Sequence, residues 1–229
     1  TGVTNTTKAD IDASGADDLD YTNETKFHFG QMQTITDVKY GKIKTVIDHT
    51  IWDRQYVNGT EIDNYDSVAT HGSLDWLTNT DRASTKTGID ITGFDVDFNN
   101  TGSYNSTVDK SASVVGVYHN FDYSITDKLL FSGGLRHDEH SIADGQSTYS
   151  IGAAYNGFRI SQSTGYKSPT LYELYGADNF GYTGNANLKP EKSVSREVGY
   201  NNKGKSYNFD VALYTTDIKD MITYSNSTY

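Results

Sequence analysis

Gly165 to Ser193 reads GYKSPTLYELYGADNFGYTGNANLKPEKS, the longest segment of the chain that refuses to be a strand. It gathers glycine, asparagine and tyrosine, and it holds both prolines, Pro169 and Pro190. Ser168 before Pro169 suits a helix N-cap with proline at the first helical position, and Gly176 stands where a glycine would stop the helix. A short helical turn is expected over Ser168 to Tyr175. From there to Asn187 the expectation is an exposed loop dense in aromatic rings.

On either side the sequence alternates apolar and polar residues. From Glu24 to about Thr216 this gives about ten segments of roughly 9–15 residues, a period of two that argues for strands. Tyr40-Gly41-Lys42, Asn79 to Ser84, Ile125 to Lys128, Asn156-Gly157 and Asn201 to Lys205 are tight connections, and Asn-Gly is the strongest two-residue hairpin signal. Val57 to Asp66, Asn99 to Lys110, Asp138 to Gln146 and 165–193 are polar and longer than a hairpin needs. Short and long connections alternate. That predicts an all-β, antiparallel up-and-down meander with turns on one rim and loops on the other; in outer-membrane barrels these rims are periplasmic and extracellular.

Thr1 to Asp20 is polar and acidic with no period, and it reads as a loop. Its carboxylates, Asp10, Asp12, Asp17, Asp18 and Asp20, lack the central glycine and closing glutamate of a calcium-binding EF-hand, so no metal site is expected there. His137 and His140 flank Asp138 and Glu139 where a strand enters a loop, and they read as a solvated rim rather than a metal site.

Within the segments one face is apolar and the other small and polar. Leu129, Phe131 and Leu135 share a side, as do Tyr149 with Ile151, and Phe209 with Val211 and Leu213. Alternation alone does not say which face is inside, because a soluble sandwich or small barrel alternates too. Segment length favours a membrane barrel, whose tilted strands need ~9–11 residues where an ordinary strand has ~5–6. Aromatic residues near segment ends, at Trp76, Tyr149, Tyr155, Phe158 and Tyr200, suit an interfacial girdle. On that reading the apolar set faces lipid.

A net charge of −11, with 19 Lys and Arg scattered along the chain, argues against a nucleic-acid partner. With no cysteine, thiolate chemistry and disulfides are excluded. The stretch from Thr1 does not read as a signal peptide, and no run of apolar residues is long enough for a transmembrane helix, which leaves transmembrane strands open. No nucleophile stands in a catalytic context, and no enzyme activity or cofactor is expected.

Thr164-Gly165-Tyr166-Lys167-Ser168-Pro169-Thr170-Leu171-Tyr172-Glu173-Leu174-Tyr175-Gly176, followed by Gly184-Asn185-Ala186-Asn187-Leu188-Lys189-Pro190-Glu191-Lys192-Ser193, resembles the barrel of TonB-dependent outer-membrane receptors, and among them the vitamin B12 receptors. Glu197 to Tyr200 and Tyr214 to Ile222 are similar to the next two strands of that family. The resemblance implies a barrel of ~22 strands around a plugged lumen, of which this chain would be a fragment of about ten strands without plug or terminal strands. It implies location in the outer membrane of a Gram-negative cell, contact with lipid and lipopolysaccharide, energy coupling to the TonB complex through the plug, and a small-molecule ligand, cobalamin or a ferric siderophore. Lys167, Ser168, Pro169, Leu188, Pro190 and Glu191 are expected to shape the ends of the loop. Tyr172, Tyr175, Phe180 and Tyr182 would either stack on a flat ligand or pack the loop against the rim. Lys167 and Lys192 would hold an acidic ligand or pair with Glu173 and Glu191. Arg196, on the face of Val198 and Tyr200, would lie near the extracellular headgroups. A passive porin-type channel and a soluble or cell-surface adhesion protein are the rival functions.

Overall fold

The computed structural model describes residues 2–10, 21–101, 107–178 and 181–224. They form one antiparallel sheet in which every strand pairs with its neighbour in sequence. The order is β1 (Gly2–Asp10), β2 (Tyr21–Val38), β3 (Gly41–Asn58), β4 (Glu61–Asn79), β5 (Ala83–Asn100), β6 (Thr107–Thr126), β7 (Leu129–His140), β8 (Gln146–Tyr155), β9 (Phe158–Lys167), helix α1 (Leu171–Tyr175), β10 (Glu191–Lys203) and β11 (Asn208–Lys219). The meander is as expected. Its strand count is eleven rather than ten, because Gly2–Asp10, read as loop, pairs with Thr22–Gly30 along its whole length. Polar Thr and Asn side chains hid that strand, since a hydrogen-bonded ladder needs no apolar period.

Strand length is the second correction. β2 to β6 run 18 to 20 residues, where no more than about 15 were expected. Val57–Asp66, read as a long loop, is a tight turn at Gly59-Thr60 with strand on both sides, and Gly59 has φ +59°. The polar residues there sit in strands that continue beyond the apolar band. Likewise Asp138–Gln146 shortens to a connection over 141–145. The alternation of short and long connections therefore breaks at β3–β4, whose two-residue turn lies on the loop rim. On the turn rim, Asn156 and Gly157 both have positive φ, at +50° and +92°, the pair that a type I′ hairpin demands. The acidic residues at 11–20 lie outside the described residues.

The two faces differ as the sequence implied. One carries Leu135 at 67% exposure, Leu213 at 77%, and Phe131, Tyr149, Ile151, Phe209 and Val211 all exposed as well, with Leu129 half-exposed beside them. The other carries a row of charges. Arg136 donates two parallel hydrogen bonds to Asp90, at 2.7 and 2.9 Å, and a third to Asp138 at 2.9 Å. Tyr118 donates to the buried carboxylate of Asp75, which also lies 3.4 Å from Lys86 Nζ. Arg159 bridges Glu197 and Asp210. Large side chains on this face lie flat over opposing glycines. Tyr118 stands directly opposite Gly88, where an added Cβ would meet its ring at 2.6 Å.

Buried apolar side chains among the described residues are few: Val46, Val108, Leu171, Leu174 and Tyr182. Three of these five belong to the loop. The sheet is thus a single layer whose apolar face covers nothing of its own chain, which no sandwich core does.

Candidate functional site: a loop folded over the charged face

The 168–190 connection builds its own small core. Thr170 caps α1, accepting from Glu173 N at 3.1 Å while its own N–H donates to Glu173 Oε2 at 2.7 Å. This capping box replaces the expected cap at Ser168, and its Thr-x-x-Glu spacing is legible in the sequence. Pro169 therefore precedes the helix instead of opening it. Gly176 does end the helix, but with φ −63° and ψ 149°, so chain freedom is not the reason for glycine. The reason is closeness, since a Cβ there would come within 2.7 Å of Tyr172 O.

Past Gly176 the chain doubles back through a bridge between Ala177 and Thr183. Gly184 N then bonds to Gly176 O at 2.7 Å and Asn185 N to Glu173 O at 2.9 Å. That return lays Tyr182 flat against Tyr172, ring centroids 4.9 Å apart and planes within 8°, and its hydroxyl donates to Tyr172 O at 2.9 Å. Tyr182 is only 6% exposed, so the expectation of an exposed ring fails for it; Tyr175 is exposed, with Lys110 Nζ 5.4 Å above its ring. Phe180 lies outside the described residues.

The ends of the loop are tied together. Lys167 Nζ sits 3.3 Å from both Glu173 and Glu191, directly across the ladder from Glu191. Glu191 also accepts from Ile222 N at 3.0 Å. Lys167 is thereby committed to the loop, as Pro169 and the fully buried Pro190 are by burial, while Ser168 and Leu188 are half-buried beside them. Arg196 is likewise engaged, with Asp217 at 2.8 Å and Gln162 at 3.1 Å. Gln162 in turn donates to Tyr149 Oη.

The loop leans across to the tall strands on the charged face. There an aromatic row runs from wall to loop: Tyr56 to Tyr65 at 6.1 Å, Tyr65 to Phe98 at 5.3 Å, Phe98 to Tyr172 at 6.4 Å, then Tyr182 and, at 5.7 Å, Tyr224. The wall members escaped the sequence reading because Tyr65 was placed in a loop; Tyr65 and Phe98 become partners only once the β4–β5 register is known. Between wall and loop lies a cavity of about 490 Å³, floored by Phe94, Val96, Phe98 and Val114 and roofed by Leu171 and Tyr172. One corner is polar. His140 Nε2 lies 3.0 Å from Tyr166 Oη and 3.2 Å from Ser168 Oγ. His137, by contrast, engages Ser147 and Glu139 on the other face. Among the described residues no three His, Asp or Glu side chains converge as metal ligands.

A single charged face under an aromatic loop, on a one-layer meander, is the build of a receptor barrel wall, and the family described as "TonB dependent receptor-like, beta-barrel" matches residues 2–229. The chain belongs to the TonB-dependent receptor β-barrel family. It is 33% identical over 118 residues to the vitamin B12 transporter BtuB of Vibrio vulnificus, an alignment taking in 49% of this chain and 18% of that protein. TonB-dependent receptors of known structure share its fold. The hemophore receptor HasR of Serratia marcescens, solved with its hemophore HasA and heme, superposes with a TM-score of 0.76 at 12% identity, over 86% of this chain and 40% of that one. The siderophore receptor PirA of Pseudomonas aeruginosa gives 0.68 at 15% identity, over 87% and 40%. The chain thus spans well under half the length of the receptors it matches.

Proposed function

We propose that this chain forms part of the wall and ligand-facing mouth of an outer-membrane receptor that takes up a scarce organometallic nutrient, cobalamin first and a ferric siderophore second. No bond of the cargo is made or broken. Capture falls to the aromatic loop and the row behind it, and release to rearrangement of a plug driven by the TonB complex. The observation that carries the reading is the pairing of a wholly uncovered apolar face with a charged face roofed by the loop. An apolar face of that kind finds its solvent in lipid, and the charged face then lines a lumen. In this arrangement Tyr172 and Tyr175 are the loop's ligand contacts, and Tyr182 props Tyr172 from behind. Leu129, Phe131, Leu135, Tyr149, Ile151, Phe209, Val211 and Leu213 meet hydrocarbon, with Arg196 toward the lipopolysaccharide headgroups.

The similarity to a vitamin B12 transporter supports cobalamin as the first cargo to try, and the likeness in fold to siderophore receptors supports the second. The test is uptake of labelled cyanocobalamin and of a ferric catecholate by cells whose own receptors are deleted and which express the full-length protein, with and without TonB. TonB-dependent accumulation of either compound is expected. Equal accumulation without TonB would favour a passive channel, and accumulation of neither would overturn the reading.

A further inference from the structure

We infer that the cavity between wall and loop is a subsite for one flat, neutral aromatic group of the cargo, a ring whose edge carries a hydrogen-bonding N or O. The inference rests on the uptake reading and names what part of the cargo the mouth grips. Three features converge on it. First, the cavity's apolar floor interrupts a face that elsewhere carries Asp75, Asp90, Arg136 and Arg159, and the loop does not finish covering it: Leu174 is 2% exposed while Phe94 remains 39% exposed. Apolar surface left open on a wet, charged face invites a ligand's apolar surface. Second, about 490 Å³ lies in the lower half of the ~300–1,000 Å³ range of small-molecule sites, room for a side group and too little for a whole chelate with its periphery.

Third, the polar corner holds no cation. Tyr166 donates its hydroxyl to the Asp138 carboxylate and accepts from His140, while His140 and Ser168 can each donate or accept, so a ring N–H, ring nitrogen or phenolic O–H finds a partner there. Of the cations near it, Lys167 is spent on Glu173 and Glu191 and Arg136 on Asp90 and Asp138, while Lys110 sits over the Tyr175 ring and does not line the cavity. A carboxylate or phosphate would enter this corner without a counter-charge, which disfavours it.

The experiment uses the full-length receptor in detergent with two free ring compounds, 5,6-dimethylbenzimidazole and catechol, observed by saturation-transfer NMR. At least one should show transfer with the wild type and lose it in Val114→Trp, whose indole fills the floor. Should that variant lose its heat-modifiable gel shift, His140→Phe takes its place: it keeps a ring and removes both nitrogens, and it should weaken the bound compound about tenfold or more. Failure of both compounds to bind the wild type, or binding that survives in the folded variant, overturns the subsite. Neither readout depends on transport, so loss of the subsite and loss of the uptake reading are seen separately.

Discussion

At the scale of single residues, the loop is held by a few exchanges of hydrogen bonds rather than by bulk. Thr170 and Glu173 satisfy each other's backbone N–H at the start of a five-residue helix that has no length of its own to stabilise it. Removing the cap in Thr170→Ala should cost the loop about 1 kcal/mol. Amide exchange within Leu171–Tyr175 should accelerate by several-fold, with exchange in β3 and β4 unchanged; equal acceleration in the wall would mean that the cap supports more than the loop. The capping box was there to be read, and it was passed over because Ser-Pro is the louder signal. Tyr182 shows the opposite case. Its burial depends on the chain doubling back at 177–183, a tertiary event with no local pattern to announce it.

Among elements, the informative contrast lies along the apolar face of β3 to β6. Near the turn rim this face carries Ile47, Leu74, Ile89, Ile91, Val115 and Val117, all exposed. Toward the loop rim it turns acidic, and Asp53, Asp66, Asp97 and Asp109 stand directly opposite one another across four strands. Like charges in directly opposed positions destabilise a sheet, by ~0.2–1 kcal/mol a pair. Asp66 has such a neighbour on both sides. Asp66→Asn should therefore stabilise the upper sheet by about 0.5–1 kcal/mol at low salt, and by less as ionic strength rises. Urea unfolding of the refolded barrel at two salt concentrations checks this, and a destabilised variant would show that positive charge already balances the row, which Lys26 begins directly opposite Asp53. The row also explains the misread loop at Val57–Asp66. Charged residues on both faces of a strand erase the period of two, so strand and loop look alike once the chain has left the apolar band.

For the whole molecule, the sequence carried the meander, its rims and the identity of the apolar face, because hairpin chemistry and side-chain parity are local. It could not carry strand height, the aromatic row or the cavity, which exist only after register and loop docking are set. The uncovered face gives the sharpest test at this scale. If Leu213 and Phe131 meet lipid, Leu213→Arg or Phe131→Arg should cost ~2–4 kcal/mol near the midplane. The full-length variants would then fold into lipid vesicles with a lower urea midpoint and keep their loops protected from protease. A penalty near zero would place that face in water.

The strands of β2 to β6 are 18 to 20 residues long and those of β7 to β9 only 10 to 12, and β6 climbs past the end of β7 through residues 107–113. At ~3.3 Å per residue that is a step of about 20 Å or more in the rim. The rim of the described strands is therefore lopsided, a parapet at β2 to β6 and a sill at β7 to β9, with the aromatic loop rooted at the sill and resting on the parapet, whose outer face carries the acidic row.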